Sequence, residues 1–268
     1  MRRAALAVAL LFAVAPAFAG ETEDARARNA VRVLNESLAI PESAIPDKLF
    51  DEARAIVIVP DTIKAGLVFG GRRGLGLMSV KRPDNTWSNP AFVKLVGGSV
   101  GLQAGVQSAD VVLVFRSDRG VADIVNGKFT LGADASAAAG PVGRNAAAAT
   151  DGQFKAEIWS WSRARGLFAG IALDGAVLKI DDEANQAVYG SGATPRMIFE
   201  GRAPQTGSAD VAALTRTLEE ATATARARRA EAPVAASSAQ PTNPAAPAAA
   251  PATPAKQEEA TVTTTPIP

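Results

Sequence analysis

The sequence predicts an α+β fold, in which a curved, mainly antiparallel sheet or a partly closed barrel is flanked by helices from both ends of the domain. Two segments, residues 21–40 and 208–229, repeat apolar residues at helical spacing. Between them, short apolar runs are divided by regularly placed glycines, which indicate bends and bulges in a strongly curved sheet. The helices are therefore expected at the two ends of the domain and the sheet between them.

The first helix is predicted over residues 21–40, before Pro41. Its apolar stripe fits either a helix docked on the domain or one that lies on a membrane surface. The stripe consists of Ala27, Ala30, Val31, Leu34 and Leu38. Shorter helices are predicted over residues 46–53, from Ser117 to Asn126, and over residues 182–188, before the closing helix at 208–229.

The first strand is predicted at residues 55–59, a continuous β-branched run that ends at Pro60. Runs that are apolar at every position are typical of strands buried on both faces. Residues 83–86, Pro-Asp-Asn-Thr, predict a turn. Further strands are predicted at residues 65–69, 74–82, 92–102, 111–115, 154–163, 167–173 and 176–180.

A glycine-rich segment, Gly70-Gly71-Arg72-Arg73-Gly74-Leu75-Gly76, separates two of these predicted strands. It lacks the Gly-Lys-Ser/Thr of a phosphate loop and does not match G-x-G-x-x-G. It also leads into a strand, so no helix N-terminus would face a bound anion. It fits either a hairpin corner with two exposed arginines or an arginine-tipped loop for a phosphate head group, with Lys64 nearby.

The other candidate site is a strand rich in tryptophan and arginine, within residues 158–170. Strand alternation puts Trp159, Trp161, Arg163 and Arg165 on one face. Two indoles followed by two guanidiniums suit a boundary between apolar and anionic surroundings. The alternative is that both indoles belong to the core and both arginines are solvated at its rim.

Composition excludes much chemistry, because the chain contains neither cysteine nor histidine. Disulfides, thiolate nucleophiles and the commonest zinc ligands are absent, and Ser160 and Ser162 have no histidine base. The sequence at 181–185, Asp-Asp-Glu-x-Asn, departs from the pattern of a calcium-binding loop. It fits better a solvated turn whose acidic residues lie at the start of a helix. We therefore predict a protein that is not an enzyme and has no cofactor or metal site.

Three parts are predicted: a signal peptide at residues 1–19, a domain at 20–231 and a disordered tail at 232–268. A basic start, about 12 apolar residues and Ala17-Phe18-Ala19 are typical of a secretory leader and too short to span a bilayer. The tail is rich in Pro, Ala and Thr and buries too little apolar surface to offset the entropy lost on ordering. It would be either a spacer or wall-spanning arm, or a dispensable segment. We expect export to the periplasm or the medium, with peripheral membrane contact.

The charge is nearly balanced, since 28 Lys and Arg stand against 27 Asp and Glu. Loss of Arg2 and Arg3 with the leader would leave 26 basic residues against 27 acidic ones. Such a balance argues against nucleic acid as a partner. An anionic partner must therefore be met by a local basic patch, and the sequence does not predict an oligomeric state.

Several sequence landmarks follow one another in a fixed order between residues 65 and 190. They are Ala65-Gly66-Leu67-Val68-Phe69-Gly70-Gly71, Trp87-Ser88-x-Pro90, Gly101-x-Gln103-x-Gly105, Asp110 before Val111-Val112-Leu113, Ala139-Gly140-Pro141-x-Gly143-Arg144, Trp159-Ser160-Trp161-Ser162-Arg163, Gly166-Leu167-Phe168-x-Gly170 and Asn185-x-x-x-Tyr189-Gly190. In this order they resemble the SYLF domain family, whose eukaryotic members include yeast cortical actin-patch proteins. The resemblance covers about residues 30–202.

The resemblance implies a lipid-binding module, with phosphoinositide recognition and actin bundling in eukaryotic members and a secreted or envelope-attached role in bacterial ones. This chain resembles a secreted bacterial member that has no lipoprotein anchor. Because a secreted protein would not meet actin in a bacterial periplasm, the actin activity is not carried over. Where the family has a Tyr-Ser-Tyr-Ser pattern, Trp159 and Trp161 replace the tyrosines. Indoles suit a membrane interface at least as well as phenols.

The function predicted from the sequence is therefore recognition of anionic phospholipid head groups by a basic and aromatic surface in the cell envelope. The alternative is an envelope structural or protein-interaction factor that uses the sheet face or the tail to bind an envelope protein. The candidate lipid-binding residues are Trp159, Trp161, Arg163, Arg165, Arg72, Arg73 and Lys64.

Overall fold

The computed structural model describes residues 19–39, 45–66, 69–100, 105–141, 156–164 and 167–231. Residues 1–18 of the predicted signal peptide, Arg165 and the predicted tail from residue 232 lie outside these ranges. The helices are α1 (Ala19–Ala39), α2 (Asp47–Asp51), α3 (Asp118–Val125), α4 (Asp182–Tyr189), α5 (Pro195–Phe199) and α6 (Ala209–Glu231). None of these helices is both long enough and apolar enough to cross a membrane.

The strands form a single mixed sheet in the described part of the chain. They are β1 (Ala55–Gly66), β2 (Phe69–Val80), β3 (Ala91–Val100), β4 (Gly105–Phe115), β5 (Lys128–Thr130), β6 (Ala137–Ala139), β7 (Ile158–Ala164), β8 (Leu167–Gly170) and β9 (Val177–Ile180). Their order is β5-β9-β3-β2-β1-β4-β7-β6, and β8 also pairs with β7. The pairing of β6 with β7 is parallel and the other pairings are antiparallel. The α+β prediction is confirmed.

The sheet curls into a half-barrel. Phe115 in β4 and Phe129 in β5 approach to 5.8 Å between ring centroids, although four strands separate them in the sheet order. By strand alternation, Phe115 and Val57 lie on this concave face, and Ile58 lies on the opposite face. All three are buried, because the concave face closes on itself and helices cover the other face.

Helix α1 crosses the convex face and confirms the docked alternative for the first amphipathic segment. Ala27, Ala30 and Leu34 of its stripe are fully buried. The Arg26 guanidinium lies 5.2 Å from the ring centroid of Phe92, which faces this side of β3. Helix α6 packs beside α1, and its Thr222 hydroxyl accepts a 2.8 Å hydrogen bond from the buried Trp87 indole.

The prediction that the first strand ends at Pro60 is wrong. Strand β1 continues to Gly66 through a bulge, where the register with both neighbours shifts. Pro60 lies where the pairing is interrupted, so its missing N–H removes no ladder hydrogen bond. Asp61 follows with a left-handed φ of 46°, and its backbone N–H donates to the Asp110 carboxylate at 3.0 Å. That distant carboxylate supports the bulge.

The predicted hairpin corner at residues 70–76 is also wrong. The predicted strand at 65–69 is divided between the end of β1 at Gly66 and the start of β2 at Phe69, and its residues 67 and 68 lie outside the described ranges. Residues 70–76 lie inside β2, which pairs with β1 on one side and β3 on the other. Glycine is needed at Gly74 for a packing reason, since a methyl group there would overlap the side chains of Val59 and Thr62 at the bulge. Gly74 therefore leaves room for the bulge, and the segment does not form a corner.

Most of the remaining predicted elements are found with shifted ends. The turn at residues 83–86 is confirmed by a 2.8 Å hydrogen bond from Arg82 N–H to the Thr86 carbonyl. Ser117 precedes α3 as predicted, but its side chain makes no capping hydrogen bond. The short elements β5, β6 and α5 were not predicted, because three to five residues give too little periodicity.

Candidate functional site

The strand that carries the two tryptophans is buried, so the prediction that it bares indoles to a lipid surface is wrong. Trp161 is 0% exposed and Trp159 is 8% exposed. The predicted alternation itself is correct, since Val114, Val112 and Asp110 of β4 face Trp159, Trp161 and Arg163 in turn. The alternative that the indoles belong to the core is therefore the correct one.

Trp161 is enclosed by a glycine-proline segment that passes over its ring. Its indole N–H donates to the Pro141 carbonyl at 3.2 Å. A methyl group at Gly140 would overlap the indole, and one at Gly170 would overlap the backbone of Gly140. We call Gly140, Pro141, Trp161 and Gly170 the tryptophan clamp. Three separate sequence landmarks thus meet in one packing unit with a structural role.

Arg163 takes part in an ion-pair network and is not a cation presented to solvent. Its guanidinium pairs with Glu36 of α1 and lies 3.7 Å from the Asp110 carboxylate. Arg32 of α1 pairs with the same two carboxylates, at 2.9 Å and 3.3 Å. The network joins α1 to β4 and β7, which explains why Arg163 is unsuited to the predicted lipid contact. The role of Arg165, which lies outside the described residues, stays a prediction.

The other three predicted cations come together at one end of β1 and β2. Lys64 pairs in register with Arg72, and Ile63 pairs with Arg73. On the other side of β1, Val106 of β4 is opposite Ala65. We call Ile63, Lys64, Ala65, Arg72, Arg73 and Val106 the strand-end surface. Here Lys64 and Arg72 lie on the concave side of the sheet, and the other four residues lie on the convex side.

Two apolar side chains are exposed on this surface. Ile63 is 51% exposed and Val106 is 74% exposed, and they are the large apolar residues that remain exposed among those whose side chains the structure describes. They belong to adjacent strands and share the convex face with Arg73. Isolated exposed apolar residues are ordinary, but two on one face beside a cation favour contact with a partner.

The cations of the strand-end surface have no carboxylate partner among the residues that the structure describes. Within the described part of the chain, no ion pair involves Lys64, Arg72 or Arg73. The sequence explains this, since residues 62–83 and 91–109 contain no Asp or Glu. Burial lowers the pKa of Arg72, because the half-buried guanidinium has no counter-charge. An anion that reaches this surface would therefore meet uncompensated positive charge.

Ile63 and Val106 were missed by sequence reasoning. The bulge at residues 60–61 resets the alternation of β1, so the pattern before Pro60 does not show which face Ile63 joins. The sequence Thr62-Ile63-Lys64-Ala65 alternates on its own and could have placed Ile63 and Ala65 together.

The acidic segment at residues 181–185 has structural roles. Asp181 accepts a hydrogen bond from the Ala184 N–H at 3.3 Å and pairs with Lys94 at 2.9 Å. Burial opposes its charge, but the Lys94 and Ala184 hydrogen bonds outweigh this and hold the Asp181 pKa below its usual value. The Asn185 side chain accepts a hydrogen bond from the Phe92 N–H and donates one to the Phe92 carbonyl. Across the described ranges, no group of three or more Asp or Glu side chains is placed to hold a metal ion.

Comparison with known proteins identifies the family. Residues 96–221 match a family model described as "Ysc84: Las17-binding protein actin regulator". The chain belongs to this SYLF, or Ysc84, family. The match to the SYLF model includes the tryptophan clamp and much of α6, whereas Lys64, Arg72 and Arg73 precede it.

Similar SYLF relatives are eukaryotic. "Protein YSC84" of Saccharomyces cerevisiae is 35% identical over 173 residues, which are 63% of this chain and 36% of the relative. "SH3 domain-containing YSC84-like protein 1" of Rattus norvegicus is 31% identical over 190 residues, 69% of this chain and 56% of the relative. An SH3 domain-containing protein of Schizosaccharomyces pombe is 37% identical and covered to 40% of its length. The chain thus spans only about 36% to 56% of these relatives.

Proposed function

We propose that this SYLF protein is a non-enzymatic lipid-binding module that recognises anionic phospholipid head groups through the strand-end surface. The observation that supports the proposal is the grouping, at one end of β1 and β2, of three cations that have no described carboxylate partner. The same strand end exposes Ile63 and Val106 next to Arg73 on the convex face. Cations attract the head groups, and the two apolar side chains can enter the boundary with the acyl chains.

The expected strength is modest and reversible. Each Lys or Arg near an anionic membrane contributes about 1 kcal/mol, so Lys64, Arg72 and Arg73 together supply about 3 kcal/mol. This corresponds to an affinity difference of about a hundredfold between anionic and zwitterionic vesicles. Screening by salt weakens the contribution of the cations, so binding is expected to fall as ionic strength rises.

The proposed location is the outer side of the membrane through which the protein is exported. The leader-like residues 1–19 are the basis for export to the periplasm or the medium. There the domain would bind peripherally to a lipid surface. Cell fractionation of the full chain, with and without residues 2–19, tests this location.

The proposal is tested by co-sedimentation of the full chain with vesicles of phosphatidylglycerol and phosphatidylcholine, or of phosphatidylcholine alone. We expect binding to the anionic vesicles and a loss of about 30-fold or more when Arg72→Glu and Arg73→Glu are combined, since two attractive charges become repulsive. The matched control combines Arg119→Glu and Arg216→Glu, which make the same charge change at exposed helix positions. Equal binding to both vesicle types, or an equal loss in the control, would contradict the proposal.

A second candidate function is binding to a protein partner in the envelope. It is favoured by the description of the family as Las17-binding and by the relatives that carry SH3 domains by name. Pull-down with the full chain and with a variant ending at residue 231 separates the two ideas. Vesicle binding should survive removal of the tail, whereas partner or wall attachment through the tail should not.

A further inference from the structure

A pocket of about 310 Å³ opens beside the strand-end surface, between α1, β2, β3 and α4. Arg73 belongs to both the surface and the pocket. Two residues further along β2, Leu75 lines the same pocket on the convex face. The charged side chains of Glu23, Arg26, Lys94 and Asp181 also line the pocket. A molecule bound at the strand end could thus extend into this pocket.

Most charges of the pocket are neutralised within the protein. Asp181 receives Lys94 at 2.9 Å and Arg26 at 3.2 Å. Arg26 is also 3.7 Å from one carboxylate oxygen of Glu23. Asp181, Lys94 and Arg26 therefore form a satisfied cluster that builds the wall of the pocket.

One carboxylate oxygen and one cation of the pocket are left without a hydrogen-bond or ion-pair partner among the described residues. Glu23 is 7% exposed, and its Oε2 atom is buried without a hydrogen-bond partner. A buried carboxylate oxygen without a donor is costly, so a donor supplied by a ligand would be strongly favoured. Arg73 makes no ion pair with any described residue. The pocket thus offers one open acceptor and one open cation, which suit a ligand that has N–H donors and an anionic group.

The position of the pocket along β2 fits contact with a lipid head group. Arg73 is three residues from Gly70, where the pairing of β1 with β2 ends, a distance of about 10 Å along a strand. The polar head-group layer on each side of a bilayer is about 5–8 Å thick. If the end of β2 passes through this layer by a few ångströms, Arg73 and the pocket lie at the level of the head groups.

We propose that the pocket binds the head group of a phospholipid whose phosphate is followed by a primary ammonium, as in phosphatidylethanolamine. The ammonium donates hydrogen bonds to Glu23 Oε2, and the phosphate pairs with Arg73. The quaternary ammonium of choline has the same charge but no N–H, so it cannot satisfy Glu23. This inference rests on the proposed function and adds a head-group preference to it.

The test holds the charge of the membrane constant. Vesicles contain the same fraction of phosphatidylglycerol, and the remainder is either phosphatidylethanolamine or phosphatidylcholine. We expect the full chain to bind the ethanolamine vesicles about tenfold more tightly, as one charge-assisted hydrogen bond would give. Glu23→Gln should remove the difference. Glu183→Gln, an exposed residue that lines the same pocket, should keep it.

Arg72→Gln is the control for the arginine, because Arg72 lies on the opposite face of β2 from the pocket. It should weaken binding to both vesicle types by the same factor, whereas Arg73→Gln should also reduce the preference for ethanolamine. A preference that survives Glu23→Gln, or equal binding of the wild-type chain to both vesicle types, would overturn the proposal.

Soluble O-phosphoethanolamine and phosphocholine separate head-group recognition from bilayer packing. Calorimetric titration of the full chain should give saturable binding of phosphoethanolamine that Glu23→Gln abolishes, and weaker binding of phosphocholine. If no phosphatidylglycerol vesicle binds, the proposed function fails, and the soluble titration still decides the pocket. Equal titration curves for the two compounds would overturn the pocket proposal alone.

Discussion

Strand β7 and the strand-end surface both place arginine near apolar side chains on the convex face, and they differ in what covers them. Residues 140–141 pass over Trp161, and acidic residues of α1 and β4 pair with Arg163. At the strand end, Ile63 and Arg73 remain exposed. Strand alternation assigns a side chain to one face of the sheet, but contacts from distant segments decide whether that face is exposed to a partner.

The largest expected effect is on stability and separates the two regions. Trp161→Ala should lower the free energy of unfolding by about 3–5 kcal/mol, because it empties a fully buried site. Val106→Ala should change it by less than about 0.5 kcal/mol, because that side chain is exposed. Urea denaturation of the two variants measures both values. Similar losses in the two variants would mean that the comparison is wrong.

A second prediction concerns the apolar side chains of the strand-end surface. Ile63→Ser with Val106→Ser should weaken binding to anionic vesicles by at least about tenfold, since both remove apolar area that would leave water on docking. The free energy of unfolding should stay nearly unchanged. The control is Val125→Ser with Val188→Ser, which make similar changes at half-buried positions outside the strand-end surface. If the Ile63→Ser and Val106→Ser variant binds vesicles as well as the wild-type chain in co-sedimentation, only the cations of the strand-end surface contribute to binding.

The smallest expected effect concerns Lys81, a cation that is buried under the helices. Burial, and then the nearby Arg226, lower the Lys81 pKa to about 8. Between pH 8 and 10.5 the folded chain has lost a proton that the unfolded chain still holds, so stability rises with pH in this window.

Denaturation at pH 7.5 and 9.5 should show a rise on the order of 1 kcal/mol that Lys81→Met removes. Measurement stops at pH 9.5 because burial raises the pKa of Tyr189 well above 10, and ionisation of that tyrosine in the unfolded chain would then lower stability. A pH dependence that is the same in the wild-type chain and the Lys81→Met variant would contradict the assignment to Lys81.

The sequence predicted the fold class because its helical stripes and β-branched runs are local signals. It could not predict the bulge after Pro60, since Asp61 is held by Asp110, a residue 49 positions away. Arg72, Arg73 and Lys64 were found as candidates from glycine-rich composition and charge alone. The burial of Trp161 was one of two alternatives that the sequence left open, because the segment that covers it is 20 residues away in sequence.

Asp110 has a consequence for how the domain loses its structure. Its carboxylate accepts the Asp61 N–H and pairs with Arg32 of α1, and it lies close to Arg163 of β7. The bulge, the first helix and the tryptophan strand are therefore energetically coupled through one side chain. Local opening of any of them exposes a charge that the other two must accommodate, so amide hydrogen exchange in the three segments should proceed as a single cooperative unit.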